Sequence, residues 1–222
     1  SISPAKDIPE NILKEKGHFV LQWSHGHTGD GTILISDENV LANLRKNFPH
    51  REARISHFVK GPVFTVNIVV SEKNILLGNI NYQITGMAPF TENIFSTIGN
   101  DWAIPYSILS GKHIKSVKEI AGKIAEKMQG ENWRGIFGID IVYDEEKDSI
   151  NLIEINARQT AGTTYESELQ MKAREVGVNG ISIFEAHVKA LLGLPIQESL
   201  ININDGAQIL QRVTGKIKNV NS

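Results

Sequence analysis

Residues Gly135–Thr164 read GIFGIDIVYDEEKDSINLIEINARQTAGTT, and the reading of this stretch decides the fold. Two apolar runs, Ile136–Tyr143 and Ile150–Ile155, flank a charged turn, Asp144–Ser149. Short β-rich runs on either side of a polar turn form the pattern of an antiparallel hairpin. Asp140, Glu154 and Asn156 interrupt the apolar runs, and the alternation of side chains along a strand sends Glu154 and Asn156 to one face. Closing the hairpin with Tyr143 opposite Asn151 sets Asp140 directly opposite Glu154. Same-face neighbours on adjacent strands lie roughly 5 Å apart. Arg158 joins that face if the strand continues.

Bare carboxylates this close repel, and one takes up a proton unless a cation intervenes. A hard divalent ion suits the set, because Mg²⁺ takes oxygen ligands and shares one or two carboxylates with substrate phosphates. A guanidinium beside such a site suits a developing negative charge. The plain alternative is the solvated side of a half-buried hairpin. Asn156 and Arg158 argue against it, since a solvated face tends to alternate Lys, Thr or Ser.

Working outward, Ser116 and Glu119 form a capping-box pair that opens a helix to Gly130, with Val117, Ile120, Ala121, Ile124, Ala125 and Met128 as its buried face. Beyond Arg158, Gln159–Thr164 is a small-residue turn into a helix ending at Gly177. A second capping box, Ser182 with Glu185, starts a helix to Leu192, in which His187 reads as a surface residue. A last strand spans Ala207–Val213, with Gln211 and Arg212 exposed or lining a cleft.

Upstream, Pro9–Lys16 reads as a short helix, Phe19–Trp23 and Ile33–Ile35 as strands, and His25–Thr32 as the glycine-rich loop of the hairpin between them. Such a loop lets backbone N–H groups converge on an anion. It is no strand-to-helix turn and lacks Gly-Lys-Ser/Thr, which excludes a Walker-type loop. His25 and His27 read as loop polars, and Asp30 sits awkwardly for phosphate approach. Ser36 is the expected N-cap of a helix through Phe48. Strands are expected at Ala53–Val59, Val63–Ser71 and Asn74–Thr85, and Gly86–Lys112 reads as irregular. Asn81 and Gln83 read equally as cleft-facing or as polars of an edge strand. The expected division is a leading segment, 1–17, a small α+β lobe, 18–86, and a larger lobe, 87–222.

GIDIV followed by LIEINAR resembles the signature hairpin of the ATP-grasp superfamily, the ATP-dependent carboxylate–amine or carboxylate–thiol ligases and their carboxylase relatives. The resemblance implies an α+β ATP-grasp fold of two lobes with a nucleotide cleft between them. It implies ATP, with Mg²⁺ (or Mn²⁺) on Asp140, Glu154 and Asn156, and Arg158 steadying the transferred phosphoryl group. The glycine loop resembles the family's triphosphate cover, which brings in Gly26, Thr28, Gly29, Gly31 and Thr32, with Ile153 beside the nucleotide. ISHFVKGPVFTVNIVV resembles the adenine hinge, placing His57, Phe58 and Val59 at the adenine edge. Gln159, Thr160 and Gly162 match the turn that holds the carboxylate substrate. Two positions depart from the pattern. Gln22 stands where a lysine usually meets the α-phosphate, and Val63 where a carboxylate takes the ribose hydroxyls. Gly138 stands where D-alanine–D-alanine ligases carry Arg, and the run after Arg158 differs from that of biotin carboxylase.

The resemblance implies a peptide or amino-acid ligase that makes an acyl phosphate of a small acid and joins it to an amine. A nucleotide-binding regulatory or assembly module without turnover, and a phosphorylating domain like those of carbamoyl phosphate synthetase or biotin carboxylase, stay open. Family members carry a further N-terminal α/β domain, expected here on a longer protein or a partner chain, and a homodimer is admitted.

Composition sets outer bounds. With 222 residues, 41% of them hydrophobic, the chain can build a sizeable core. A net charge of −2 from 23 basic and 25 acidic residues provides no global field to select nucleic acid or membrane. Having no cysteine, the chain can form neither disulfides nor thiolate zinc sites, and it has no cysteine nucleophile. The first residues are too polar for a signal peptide, so a cytoplasmic protein is expected.

Overall fold

The computed structural model describes residues 2–9, 18–23 and 31–210, which fall into two units, each with its own core. The first comprises residues 1–60 and 85–97. Its four-stranded antiparallel sheet runs β1-β4-β2-β3, built from β1 (Ile2–Pro4), β2 (Phe19–Trp23), β3 (Thr32–Ile35) and β4 (Glu52–His57). Alternation along β2 sends Phe19, Leu21 and Trp23 to one side, where they pack with Ile35, Ala53 and with Leu41 and Leu44 of α1 (Glu38–Asn47). Asp37 caps α1 in place of the expected Ser36. Its Oδ1 accepts from the Asn39 and Val40 N–H groups at 2.9 and 3.0 Å, and its Oδ2 accepts from the Ser36 hydroxyl. A carboxylate both accepts these bonds and complements the helix dipole. Residues 10–17, 24–30 and 211–222 lie outside the described residues. With them go most of the helix expected at Pro9–Lys16, the loop positions Gly26, Thr28 and Gly29, and Gln211 and Arg212.

The second unit comprises residues 61–84 and 98–222. Its six-stranded sheet has the order β10-β7-β6-β5-β8-β9. The strands are β5 (Val63–Val70), β6 (Ile75–Thr85), β7 (Thr97–Asp101), β8 (Gly135–Asp144), β9 (Ser149–Asn156) and β10 (Ala207–Ile209). The expected boundary at Gly86 is thereby corrected: β5 and β6 belong with the β8–β9 hairpin, not with the smaller sheet. From Phe64 to Val70 every residue of β5 is buried, which suits a central strand covered on both faces. Asn81 and Gln83 are likewise interior, since β6 runs between β5 and β7. The stretch read as irregular holds β7 and the short helix α2 (Ile104–Ile108).

On one face of this sheet Phe64, Val66 and Ile68 of β5 and Phe137, Ile139 and Ile141 of β8 pack against Val117, Ala121 and Ala125 of α3 (Gly111–Gly130). α3 starts ahead of the expected Ser116. Ser110 is the N-cap, accepting from the His113 N–H, while His113 Nδ1 accepts from the Ser110 N–H at 3.2 Å. Histidine thus fills the place that Glu or Gln usually holds in a capping box. On the opposite face, Val69 and Ile136 meet Ile183, Ala186 and Ala190 of α5 (Ile183–Leu191). Its Ser182–Glu185 capping box is the expected one. His187, read as a surface residue, is half-buried, and its Nδ1 accepts the Ile136 N–H at 3.0 Å. Gly135 beside it has φ +98°, and a Cβ there would lie 2.8 Å from that nitrogen. Among the described residues no helix is long and apolar enough to cross a membrane.

Candidate active site

The hairpin places Asp140 directly opposite Glu154 and Gly138 opposite Asn156. The register beyond them differs from the expected one. A bulge between Asp140 and Ile141 shifts the pairing, so Ile141 faces Leu152 and Tyr143 faces Ile150. A bulge re-aims side chains at the strand where it occurs. Asp148, in the hairpin turn, clamps the far end to α3. It accepts from Tyr143 Oη at 3.0 Å and from Lys112 Nζ at 3.0 Å, and lies 2.7 Å from His113 Nε2.

At the bulge the polar side chains form one connected set. Asp140 Oδ1 accepts from Thr65 Oγ1 at 2.7 Å, and Asp140 Oδ2 from Asn156 Nδ2 at 2.9 Å. Asn156 Oδ1 accepts from Arg158 Nη2 at 3.1 Å, and Arg158 Nη1 donates to the Gln159 carbonyl at 2.9 Å. The sheet therefore gathers Asp140, Glu154, Asn156 and Arg158 on one face. Burial pushes the Asp140 carboxyl up to about 6, aided by the Glu154 charge and opposed by the Thr65 and Asn156 donors and the Arg158 charge. The donor set of two carboxylates and an amide oxygen is all-oxygen, which fits a hard divalent ion that also binds phosphate. Among the described residues no group of three or more His, Asp or Glu side chains is placed to hold a metal ion, so protein carboxylates and imidazoles alone do not form a cage.

The row continues across the sheet. Thr65 lies opposite Asp140 on one side and Asn81 on the other. Gln83 Nε2 donates to Thr65 Oγ1 at 2.6 Å, and Asn81 Oδ1 accepts from Asn100 Nδ2 at 2.7 Å. Two residues along β5, Asn67 lies opposite Gly138. Thr160 Oγ1 donates to Asn67 Oδ1 at 2.8 Å, and Asn67 Nδ2 donates to Glu166 Oε2 at 2.7 Å. Glu166 belongs to α4 (Thr163–Glu175) and is fully buried. Its Oε1 accepts from the backbone and side-chain N–H groups of Asn79, each at 3.0 Å. Burial raises its pKa against these donors. Asn67, Asn79 and Glu166 were missed in the sequence. The available signal was polar residues at alternate positions of otherwise apolar strands: Thr65 and Asn67, then Asn79, Asn81 and Gln83.

Of the expected substrate positions, Thr160 is held on Asn67 and Gly162 precedes α4 beside Asn100, where a Cβ would meet the amide at 3.4 Å. Gln159 is exposed.

In the other unit, Gln22 lies between Thr32 on β3 and Arg54 on β4, and its Oε1 accepts from Arg54 Nη2. A guanidinium thus stands beside the uncharged residue that replaces the expected lysine. Gly31 accepts from the Trp23 N–H at 2.9 Å through its carbonyl and is buried. Of the expected hinge residues, His57 ends β4 with its ring 4.6 Å from that of Phe19. The Phe58 N–H donates to the His18 carbonyl at 2.8 Å, so this donor is already engaged. Val59 follows beyond the strand.

No curated protein sequence matches the chain. Among solved structures it resembles the N5-carboxyaminoimidazole synthetase of Staphylococcus aureus in complex with ADP, at 16% identity and a TM-score of 0.64, over 94% of this chain and 49% of that one. The corresponding ribonucleotide synthetase of Thermotoga maritima aligns at 19% identity and 0.62, over 90% and 46%. The biotin carboxylase domain of the Hydrogenobacter thermophilus 2-oxoglutarate carboxylase, a dimer bound to Mg-ADP, ADP and bicarbonate, aligns at 14% and 0.62, over 89% and 42%. At these identities the likeness is one of fold, and the chain spans about half the length of these proteins or less. The family model described as the ATP-grasp domain matches residues 3–162. The chain belongs to the ATP-grasp family.

Proposed function

We propose that this chain is the nucleotide-binding part of an ATP-dependent ligase that activates a small carboxylate as an acyl phosphate and passes it to an amine. The observation that carries the reading is the pairing of Asp140 with Glu154, with Asn156 bonded to Asp140 and Arg158 to Asn156. Asp140, Glu154 and Asn156 would hold Mg²⁺, which when bound neutralises the β- and γ-phosphates of ATP. Thr65 and Asn156 orient the two oxygens of Asp140 by donating one hydrogen bond to each. Arg158 is the cation placed to stabilise charge on the transferring phosphoryl group. The substrate carboxylate attacks the γ-phosphorus, ADP leaves, and the amine then displaces phosphate from the acyl carbon. The chain supplies positioning and charge, which dominate phosphoryl transfer, so no protein nucleophile is needed. Gln159, Thr160 and Gly162 would line the pocket of the acid. The ADP bound in the Staphylococcus aureus neighbour and the Mg-ADP in the Hydrogenobacter thermophilus domain support the nucleotide assignment.

A second reading, nucleotide binding without turnover, is favoured by Gln22 at the lysine position. ADP release, screened over small acids and amines, separates the two. The ligase reading expects acid-dependent ADP formation that Arg158→Ala removes while binding of a non-hydrolysable ATP analogue persists. Analogue binding with no ADP formed from any pair of substrates would favour the second reading.

A further inference from the structure

We infer that Glu166 is the positioning residue of the Gln159–Gly162 turn, acting through Asn67 on Thr160. Glu166 lies wholly inside the protein, and the donors bonded to its carboxylate are the amide groups of Asn67 and Asn79. Burying a carboxylate on such terms is costly, and a purely packing role would be met by glutamine at lower cost. The carboxylate does something glutamine cannot. It only accepts hydrogen bonds, so it dictates which end of Asn67 faces it. Asn67 Nδ2 turns inward and Oδ1 outward, where Thr160 Oγ1 donates at 2.8 Å and Thr163 Oγ1 at 3.5 Å.

Held this way, Thr160 lays its methyl group on Gly138: a Cβ on Gly138 would lie 2.2 Å from Thr160 Cγ2. Gly138 pairs with Asn156 and stands two residues before Asp140 on β8. The relay Glu166–Asn67–Thr160 therefore sets the height of the turn directly beside the Asp140–Asn156 set. That this turn holds the acid substrate rests on the ligase reading; that Glu166 sets its geometry does not. Glutamine at 166 would present a donor to Asn67, reverse that amide, and leave Thr160 facing an N–H group instead of an acceptor.

The test is NMR of the full chain with labelled threonine methyl groups and backbone amides. Glu166→Gln is expected to shift the Thr160 methyl and Gly162 amide resonances. The double variant Glu166→Gln/Asn67→Asp restores a complete set of partners, because an aspartate at 67 accepts from both the new amide and Thr160. It is expected to bring both resonances back. Thr160→Val cuts the relay at its outer end even if the inner variant fails to fold. It should shift the Gly162 amide, whereas Thr160→Ser leaves it in place. Resonances unmoved by Glu166→Gln or by Thr160→Val, or a folded double variant that keeps the shifts, would overturn the assignment. Titration of the same samples with a non-hydrolysable ATP analogue and Mg²⁺ keeps the two claims apart. Loss of binding in the unmodified chain speaks against the ligase reading, while the resonances still judge the relay.

Discussion

The two faces of the six-stranded sheet are made from the same strands and obey opposite rules. Even-numbered residues of β5 with odd-numbered residues of β8, among them Phe64, Val66, Phe137 and Ile139, build an apolar layer under α3. Their immediate neighbours, Thr65, Asn67, Gly138 and Asp140, face the other way and form a hydrogen-bonded polar set. One face holds the fold together by excluding water. The other carries buried polar groups, each of which needs a partner and finds it within the set. That second face is graded along the strands. It runs from Val69 and Ile136 under α5, through Asn67 and Gly138 under the Thr160 turn, to Thr65 and Asp140. The comparison teaches that stability and function are separated here by a single residue step along a strand.

Truncation on the apolar face should cost the most. Phe137→Ala is expected to lower unfolding stability by about 3–5 kcal/mol in chemical denaturation, the range for emptying a buried aromatic site. Asp140 on the polar face should behave in the opposite sense. Its folded pKa of about 6 exceeds its unfolded value of 3.8, so the metal-free folded state binds the proton more tightly. Stability is then full below pH 3.8, falls as pH rises to about 6 by on the order of 3 kcal/mol, and stays flat above. Asp140→Asn should remove this step, leaving the metal-free protein more stable at neutral pH. A variant that is less stable there would break the contrast between the faces.

Gly138→Ala comes next. The added methyl meets Thr160 Cγ2, and overpacking of this kind costs about 1–3 kcal/mol, with the turn displaced from the sheet. The smallest effect is expected at the surface pair Arg174–Glu185. Glu185 is held down to about 2 by the Arg174 guanidinium and the Ser182 N–H. Its contribution is present above pH 4.5 and lost as pH falls toward 2. Solvent screening of so exposed a pair holds it below about 1 kcal/mol, read as the difference between the unmodified chain and Glu185→Gln over that window.

Much of the site was legible because it is local. Asp140, Glu154 and Asn156 lie within one hairpin, where strand alternation alone predicts a shared face. The bulge was not legible, since Ile153 is as apolar as Leu152 and Ile155 and nothing in the pattern marks an extra residue. Asp140 still meets Glu154 because the extra residue enters just past that pair. The start of α3 was misread for a related reason: Ser116 and Glu119 carry the usual capping pair, whereas the real cap uses His113. The grouping of β5 and β6 depends on partners far along the chain, which apolar patterning does not name. Glu166 carries no local signal, because only tertiary packing brings it to Asn67 and Asn79, 99 and 87 residues away.

The central claim is that Asp140, Glu154 and Asn156 hold a divalent ion against a nucleotide. Calorimetric titration of a non-hydrolysable ATP analogue, with and without Mg²⁺, into this chain and into Glu154→Ala tests it most directly. The expected result is binding that requires Mg²⁺ and disappears in Glu154→Ala, whose exposed side chain can be removed with the fold intact. Equal binding by both proteins, or binding indifferent to Mg²⁺, would contradict it.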